Sequence, residues 1–414
     1  MLRGLCLVIE WLLLLLPVAA ASGWWAARRG DARRGVSGHP SDPSFFRGLN
    51  YLLNEQPDKA IDVFLKLAEV DGETAETHLA LGSLFRRRGE VDRAIRIHQN
   101  LVARPNLSKE QRGFALYELG EDYMRAGLFD RAESMFAELA EMKLHRRRAL
   151  EGLREIYQQE KDWVRCLEVA EQLRSLTGES VRAEMAHYHC ELAEEALKAD
   201  DAQAADAHLT HSQAANPQCV RALMLQARME MARGDARAAV TLYRRVAKQG
   251  PQFLSEVLPE LVEAHRVSGR EDLLAELERL YRDCACSPLV LTLADVLQRE
   301  KGDAAAIAFL VEYVSSHADL AGLARLLELN EPWLKANASA QATFHALQAV
   351  VEHLRSRQPD HQCEHCGFVA RRLHWQCPSC KHWGSIKPVL PEPIGGGDAM
   401  PDRRIALEKR RREP

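Results

Sequence analysis

Apolar and polar positions follow the period of amphipathic helices along most of the chain, and the helices come in pairs. In residues 79–101, LALGSLFRRRGEVDRAIRIHQNL, apolar residues mark a first helix, Gly89 and Glu90 a turn, and further apolar residues a second helix. The small residues Gly82 and Ala94 let the two helices approach closely, while larger apolar residues form a stripe that one hairpin cannot bury. The pattern predicts a helical hairpin that needs neighbouring copies.

Copies of this hairpin follow at a nearly constant interval. The small residue near the start of the second helix recurs at steps of 34, 38, 34, 39 and 34 residues. Its positions are Ala60, Ala94, Ala132, Cys166, Ala205 and Ala239. Thirty-four residues is the period of the tetratricopeptide repeat. We interpret the steps of 38 and 39 as lengthened inter-helix loops near 105–108 and 177–180.

The repeat pattern predicts an all-α tetratricopeptide solenoid over residues 44–357, with degenerate last units. Beyond about residue 252 the signal weakens, but 254–283 and 287–316 keep helical periodicity, and 319–357 is expected to be a capping helical segment. In such arrays the first helix of each pair lines the concave face, which usually holds the partner.

The first 27 residues form an apolar run that is long enough to cross a bilayer. A cleaved signal peptide is one interpretation, since Ala19, Ala20 and Ala21 resemble a cleavage site. A retained anchor is favoured by Trp24 and Trp25 at its far edge and by the basic cluster that follows, which keeps that side in the cytoplasm. Residues 28–43 are then a flexible linker.

Composition and charge agree with the prediction of an anchored helical repeat array. The chain has 414 residues and a formal net charge of −4, which gives no basic footprint for nucleic acid. A repeat array grows by adding units, so the length need not indicate several globular domains. Residues 389–414, rich in proline, glycine and charge, are predicted to be a disordered tail.

Candidate chemistry lies near the C-terminus, in residues 358–388. Two C-x-x-C turns follow each other there, formed by Cys363, Cys366, Cys377 and Cys380. Four thiolates at this spacing suit one Zn or Fe ion, whereas two disulfides are the less favoured alternative. We expect the nearby His361, His365, His374 and His382 to be bystanders. We call residues 358–388, with their four cysteines, the knuckle. Phe368, Trp375 and Trp383 are expected to cover the knuckle and to dock it on the last helices.

A second group of residues is a candidate partner surface. Arg86 and Arg87 end a first helix, and Tyr117, Glu121 and Arg125 lie at comparable phases of the next unit. These side chains could meet a partner in the groove, or the arginines could simply complement a helix C-terminus in water.

Histidines also cluster within the fifth repeat. They are His187, His189, His208 and His211. Because these residues lie on predicted helices without carboxylate or cysteine at ligand spacing, helix packing is favoured over a metal site.

These features together resemble the lipopolysaccharide assembly protein B family of Gram-negative bacteria. The stretches LPVAAASGWWAARR, GLNYLLNEQPDKAIDVF, ETHLALGSLFRRRGEVDRAIRIHQNL, ALYELGEDYMRAGLFDRAE and CEHCGF…CPSC carry the resemblance, which covers about residues 1–388. It implies a single-pass inner-membrane protein with a cytoplasmic repeat array and a rubredoxin-type site at the four cysteines. The interval between the two cysteine pairs is shorter than in electron-carrying rubredoxins, and nothing carries over to the longer tail.

The resemblance also implies a function. Members are adaptors that promote breakdown of LpxC, the deacetylase that commits precursors to lipid A, by the membrane-bound protease FtsH. Other lipopolysaccharide assembly and transport proteins are implied as partners, and a homodimer is compatible with the family.

Three rival functions remain open from the residues alone. An enzyme is disfavoured because no Walker loop, nucleophile elbow, zinc-protease helix or dinucleotide fingerprint occurs. A redox-sensing or electron-transfer rubredoxin would need iron that cycles. A general scaffold, in the cytoplasm or the periplasm, would differ in its partners and its topology.

Overall fold

The structure is a computed structural model that describes residues 43–393. Gaps in the description fall at 55, 71–74, 144, 179–180, 270–271, 284–285, 336–337 and 391. The predicted anchor 1–27, the linker up to residue 42 and residues 394–414 of the predicted tail lie outside the described residues. Among the helices that are described, none has both the length and the apolarity required to span a membrane.

Helices make up nearly all of the described chain. In order they are α1 Pro43–Leu53, α2 Pro57–Val70, α3 Ala75–Arg87, α4 Val91–Val102, α5 Lys109–Ala126, α6 Phe129–Glu141, α7 Arg146–Glu160, α8 Trp163–Thr177, α9 Arg182–Lys198, α10 Ala202–Ala215, α11 Val220–Ala232, α12 Ala236–Gln249, α13 Leu254–Val267, α14 Leu273–Asp283, α15 Ser287–Lys301, α16 Asp303–Ser316, α17 Leu320–Lys335 and α18 Ala338–Arg357. A 3-10 turn, Pro251–Phe253, precedes α13.

Consecutive helices pair as hairpins, which confirms the predicted helical repeat array. Two details differ from the sequence-based expectation. The capping segment is itself a hairpin, formed by α17 and α18. The long steps also arise partly within helices, because α5 has 18 residues and α9 has 17, whereas α3 has 13. Four extra residues add about one helical turn, so the hairpin geometry is kept.

The described chain divides into two compact units, residues up to 152 and residues from 153 onward. In the first unit, a glycine on one helix makes room for a ring on its partner. A Cβ added at Gly120 would lie 2.6 Å from Phe136, and one added at Gly48 would lie 2.7 Å from Phe64. Gly152 lies against the other edge of the Phe136 ring. The two helices of a pair can therefore approach closely in this unit because glycine has no side chain at these positions.

The turns of several hairpins have a residue with a left-handed backbone conformation shortly before the second helix. Gly89, Gly127 and Gly234 fill this position with φ of 82°, 74° and 84°. In two hairpins of the second unit Lys161 and Asp200 take it instead, each with φ of 60°. The residue that follows in three of these turns is an aspartate whose carboxylate accepts a backbone N–H of the first helical turn. These caps are Asp162, Asp201 and Asp235.

The second unit adds short strands to its helices. They are β1 His317–Ala318, β2 His361–Cys363, β3 Val369–Ala370, β4 Ile386–Pro388 and β5 Glu392–Pro393. β2 is the centre of an antiparallel sheet with β3 and β4, and β5 pairs with β1 beside α17. The ordered chain thus continues past the predicted boundary at 388, because β1 provides hydrogen bonds for residues placed in the tail.

Candidate metal centre

The four cysteines converge on one point beside the small sheet. Cys363 ends β2, Cys366 lies in the turn that follows, and Cys377 and Cys380 lie in a second turn. Their sulfur atoms all lie within 4.8 Å of one another. Cys363 and Cys377 are buried, with 1% and 0% of their surfaces exposed, whereas the other two are half-buried.

The two turns are built alike. In the first, the Cys363 N–H donates to Phe368 O at 2.8 Å, and the Gly367 N–H donates to Cys363 O at 2.9 Å. In the second, the Cys377 N–H donates to His382 O at 2.9 Å, and the Lys381 N–H donates to Cys377 O at 2.9 Å. Both turns have a left-handed residue after the second cysteine.

Backbone N–H groups also point at sulfur in each turn. Those of His365 and Cys366 donate to the Cys363 sulfur. Those of Ser379 and Cys380 donate to the Cys377 sulfur in the same way. Hydrogen bonds of this kind favour the thiolate, which is the form that binds metal.

The sulfur spacing fits a tetrahedral metal ion. The Cys363 and Cys380 sulfurs are 3.7 Å apart, and so are those of Cys366 and Cys377. A Zn–S bond of about 2.3 Å gives sulfurs about 3.8 Å apart at the corners of a tetrahedron. A disulfide would need a separation of about 2.05 Å. The donor set therefore fits a four-thiolate metal site, and either Zn or Fe would be held by all four cysteines.

Electrostatics also favour a bound cation. Burial disfavours the Cys363 thiolate, but the hydrogen bond between Cys363 and Ser385 and those from the local backbone outweigh this effect and lower the pKa of Cys363. Burial and the neighbouring thiols instead raise the pKa of Cys380. Four thiolates so close together repel each other, so a positive ion is needed to hold all of them ionised.

Two tryptophans attach the knuckle to the middle of the array. Trp383 packs with ring centroids 5.8 Å from Trp163, 5.7 Å from Tyr188 and 5.2 Å from His187. Its indole N–H donates to Gln158 Oε1 at 3.2 Å, and Gln376 donates to the same oxygen at 2.7 Å. Helices α7, α8 and α9 therefore form one side of the docking surface.

The other tryptophan meets the following helices. Trp375 packs 5.4 Å from Phe253, and the guanidinium of Arg221 lies 5.8 Å from its ring. Arg221 is buried and bonds Glu191 at 2.8 Å and Glu194 at 2.7 Å. The strands add His361, whose Nε2 lies 3.0 Å from Glu256, and Lys387, whose ammonium lies 4.6 Å from the Phe253 ring.

Docking on the last helices was therefore the wrong prediction for the two tryptophans. Among the described residues, the last helix meets the knuckle through a hydrogen bond that Arg371 donates to Ser356 O at 2.7 Å. Phe368 does cover the knuckle, because it packs against the cysteines themselves. Sequence periodicity could not locate the docking surface, since the residues that meet there are 105 to 225 positions apart.

The candidate partner residues lie in the first unit. Arg86 is half-buried, and its guanidinium bonds Glu118 and Asp122 on α5, with 2.7 Å to the Asp122 carboxylate. Asp122 is fully buried and also lies 2.6 Å from His98 Nδ1. Tyr117 lies under the guanidinium of Arg148, at 5.5 Å.

The remaining candidates are more open to solvent. Arg87 and Arg125 are exposed at the ends of α3 and α5, and Glu121 is half-buried on α5 near Tyr117. Burial, then the charges of Glu121 and Glu118, raise the pKa of Tyr117. Arg86 thus serves an internal network, whereas Arg87 and Arg125 are available at the surface.

Several residues of the site were missed at the level of sequence. Gln158, Arg221, Glu256 and Ser385 have no local pattern that distinguishes them. Lys381 could have been recognised, because it stands at the same spacing from its C-x-x-C pair as Gly367 does and shares its positive φ.

The four histidines of the fifth repeat are half-buried or, at His211, exposed on the array. His187 stacks on the knuckle, while His189 contacts His208 with 3.4 Å between their Nδ1 atoms and stacks on His211 with centroids 5.3 Å apart. In the part of the chain that the structure describes, two groups of metal-ligand side chains converge: the four cysteines, and His365 with Cys380 and His382.

A tetratricopeptide-type helical array with a four-cysteine knuckle docked on it defines a repeat protein with a rubredoxin-like metal-binding domain. Models of the tetratricopeptide repeat match residues 77–110 and 190–252, and a model described as a rubredoxin metal binding domain matches residues 361–388. The chain belongs to the lipopolysaccharide assembly protein B family.

Family membership follows from the similarity over nearly the full length. The chain is 37% identical to lipopolysaccharide assembly protein B of Escherichia coli K12 over 384 residues, covering 92% of this chain and 98% of that one. The Haemophilus influenzae protein of the same name is 32% identical over 395 residues, with the same coverage. A solved tetratricopeptide protein part from Cytophaga hutchinsonii matches at 14% identity with a TM-score of 0.39, covering 57% of this chain and 94% of that one.

Proposed function

We propose that the chain is an inner-membrane adaptor that regulates lipopolysaccharide biosynthesis. In this role it promotes proteolysis of LpxC by FtsH and coordinates lipopolysaccharide assembly with other assembly and transport proteins. The observation that carries the proposal is the similarity over 98% of the length of a protein named for lipopolysaccharide assembly. Paired helices that expose long surfaces are suited to holding a protease and its substrate together.

The proposal is tested by following LpxC after depletion of this protein. After protein synthesis is blocked, the half-life of LpxC should lengthen in depleted cells and return to normal with the wild-type chain. A chain with Cys363→Ser should fail to restore it, because one missing thiolate opens the metal site. An unchanged LpxC half-life together with impaired lipopolysaccharide assembly would favour the general scaffold instead.

We also propose a single-pass topology with the array in the cytoplasm. Support comes from the apolar run in residues 1–27, the arginines that follow it and the eight cysteines of the described residues, which form no disulfide and suit a reducing compartment. Protease added to intact spheroplasts should leave the array uncut until the cells are lysed. Digestion before lysis would place the array in the periplasm.

The metal is proposed to be structural. Four thiolates complete a tetrahedral shell and leave no open position for a substrate. The two tryptophans of the knuckle contact the array, so a fold held by metal would also hold this contact. A redox role would instead require iron that changes its oxidation state.

A further inference from the structure

Two exposed histidines flank one side of the metal centre. His365 lies between the cysteines of the first C-x-x-C pair, and His382 follows the second pair by two residues. Their rings stack with centroids 3.6 Å apart and an angle of 20° between the planes. The two turns thus present one imidazole each at the same place.

These imidazoles share a cysteine with the metal centre. One nitrogen of each ring and the sulfur of Cys380 lie within 4.8 Å of one another. Both rings are exposed and Cys380 is half-buried, whereas Cys363 and Cys377 are buried. A cation that arrives from solvent therefore meets the two imidazoles and Cys380 before it meets the buried sulfurs.

The backbone orients one imidazole for binding. His382 Nδ1 lies 3.0 Å from the carbonyl oxygen of Cys380. A carbonyl only accepts, so Nδ1 carries the proton and the lone pair is on Nε2. A hydrogen bond from one ring nitrogen to a carbonyl is the usual way in which a histidine is oriented toward a metal.

We propose that His365, His382 and Cys380 form an entry site that captures a divalent cation and passes it to the four-cysteine centre. This proposal rests on the four-cysteine metal site described above. While it is bound to the two imidazoles and Cys380, the cation keeps one water as its fourth ligand. During transfer the bond to Cys380 is kept, and the two bonds to imidazole nitrogen and the bond to water are replaced by bonds to Cys363, Cys366 and Cys377. Each of the four cysteines that starts as a thiol releases its proton to solvent when it binds the cation, so no electron is exchanged.

The rate of metal uptake tests the entry site. The full chain is stripped of metal with a chelator and mixed with Co²⁺, whose charge-transfer absorption with thiolate reports arrival at the cysteines. The variants are His365→Ala, His382→Ala and the double substitution. His374→Ala is the matched control, because His374 is also an exposed histidine of the knuckle but lies outside the group.

The double variant should take up Co²⁺ about tenfold more slowly, a size that is typical when groups around a metal are removed. The final absorption and the equilibrium affinity should match those of the wild type, because the four cysteines are unchanged. Release of Co²⁺ to excess chelator should slow by the same factor, since forward and reverse transfer use one route.

Equal uptake rates in wild type and double variant would overturn the entry site. A weaker equilibrium affinity with an unchanged uptake rate would also overturn it, because the rings would then only support the fold of the knuckle. The variants that lack His382 also lose its hydrogen bond to Cys380 O, which could unfold the turn. The single variant His365→Ala keeps this bond, so its uptake rate still tests the entry site. Failure of the underlying metal site is distinguishable, since the wild type itself would then show no cobalt–thiolate absorption.

Discussion

Individual residues take unusual backbone conformations where the repeat and the knuckle require them. Lys161, Asp200 and Lys381 have φ of 60° at positions where other turns of this chain use glycine. A left-handed conformation costs a residue with a side chain about 1 kcal/mol or more. The helix that follows Lys161 or Asp200 offsets this cost, because an aspartate caps each of them.

His98 shows how one residue can change the character of a repeat. It occupies the position held by Phe64 and Phe136 in neighbouring hairpins and faces Gly82 as they face Gly48 and Gly120. Because an imidazole needs a polar partner when buried, Asp122 lies beside it and is in turn bonded by Arg86. Arg86 is therefore already engaged inside the protein, by the buried carboxylate of Asp122, and is less available to bind a partner.

Charge reversal at two exposed positions tests the candidate partner surface. Arg87→Glu with Arg125→Glu should weaken binding to FtsH or LpxC about tenfold, because rim charges that attract a partner would then repel it. Binding of the purified chain is measured by calorimetry, with helicity checked by circular dichroism. Arg96→Glu, an exposed arginine on a second helix, is the control. Equal affinity for the wild type, the double variant and the control would show that Arg87 and Arg125 are solvated residues at helix ends and do not bind the partner.

Arg86 is unsuitable for the same test. Its reversal would place a third carboxylate beside Glu118 and the fully buried Asp122. Breaking a buried ion pair typically costs about 3 to 5 kcal/mol, so any lost binding would reflect lost folding.

At the scale of elements, the contact between the knuckle and helices α7 to α13 depends on aromatic rings and few charges. His187 lies between the two tryptophans of the knuckle, and its Nε2 is 3.2 Å from the position a Cβ would take at Gly384. Burial, then the positive charges of Arg221 and Lys387, lower the pKa of His187 to about 3. The docked state therefore requires the neutral ring.

Docking should consequently weaken in mild acid. An exposed histidine has a pKa of about 6.5, so the contribution of His187 is complete above that value and is lost as pH falls toward 3. At pH 5 the loss should be about 2 kcal/mol, from 1.36 kcal/mol for each pH unit below 6.5. Tryptophan fluorescence of the full chain during denaturation at pH 7 and pH 5 measures the difference.

His187→Phe keeps a planar ring but cannot take a proton, so its stability should change less between the two pH values. Protonation of the cysteines affects both chains equally and cancels in this comparison. His187→Leu provides a smaller neutral side chain if the Phe ring proves too large. The same pH dependence in wild type and in both variants would show that His187 does not control docking.

At the scale of the molecule, a locally folded metal site is coupled to a helical array. A segment as short as residues 361–388 has little core of its own beyond Cys363, Cys377 and Ile386. Metal binding can supply about 10 to 16 kcal/mol of folding free energy to such small domains. In a repeat array, units interact mainly with their neighbours, so stability need not be uniform along the chain.

Metal removal should therefore loosen only part of the chain. After chelation, backbone hydrogen exchange should rise in the knuckle and in α7 to α13, because the two tryptophans lose their folded support. Exchange in residues 75–143 of the first unit should stay the same. A uniform rise across both units would contradict a local role of the metal.

Reloading distinguishes a structural metal from a redox metal. Zinc does not change oxidation state, so zinc-loaded protein should regain both the protected exchange pattern and LpxC turnover if the metal is structural. Iron-loaded protein is the comparison. Full protection without LpxC turnover in the zinc form would favour redox sensing.

The sequence by itself determined the hairpins and the cluster of four cysteines, because both depend on residues that are close along the chain. A 34-residue repeat with small residues at one phase specifies paired helices, since each pair must cover the apolar stripe of the next. Two C-x-x-C turns likewise bring four sulfurs together through local hydrogen bonds. For the same reason the six repeats and the hairpins at 254–283 and 287–316 were predicted correctly.

Only the tertiary structure decided where the knuckle docks and which arginine is used internally. Trp383 and Gln158 are separated by 225 positions, and their contact depends on the stacking of all the helices between them. Arg86 and Asp122 likewise belong to different repeats, so neither shows its partner in its own sequence context. Helical periodicity identifies which residues face inward, but distant partners are selected by how whole elements pack.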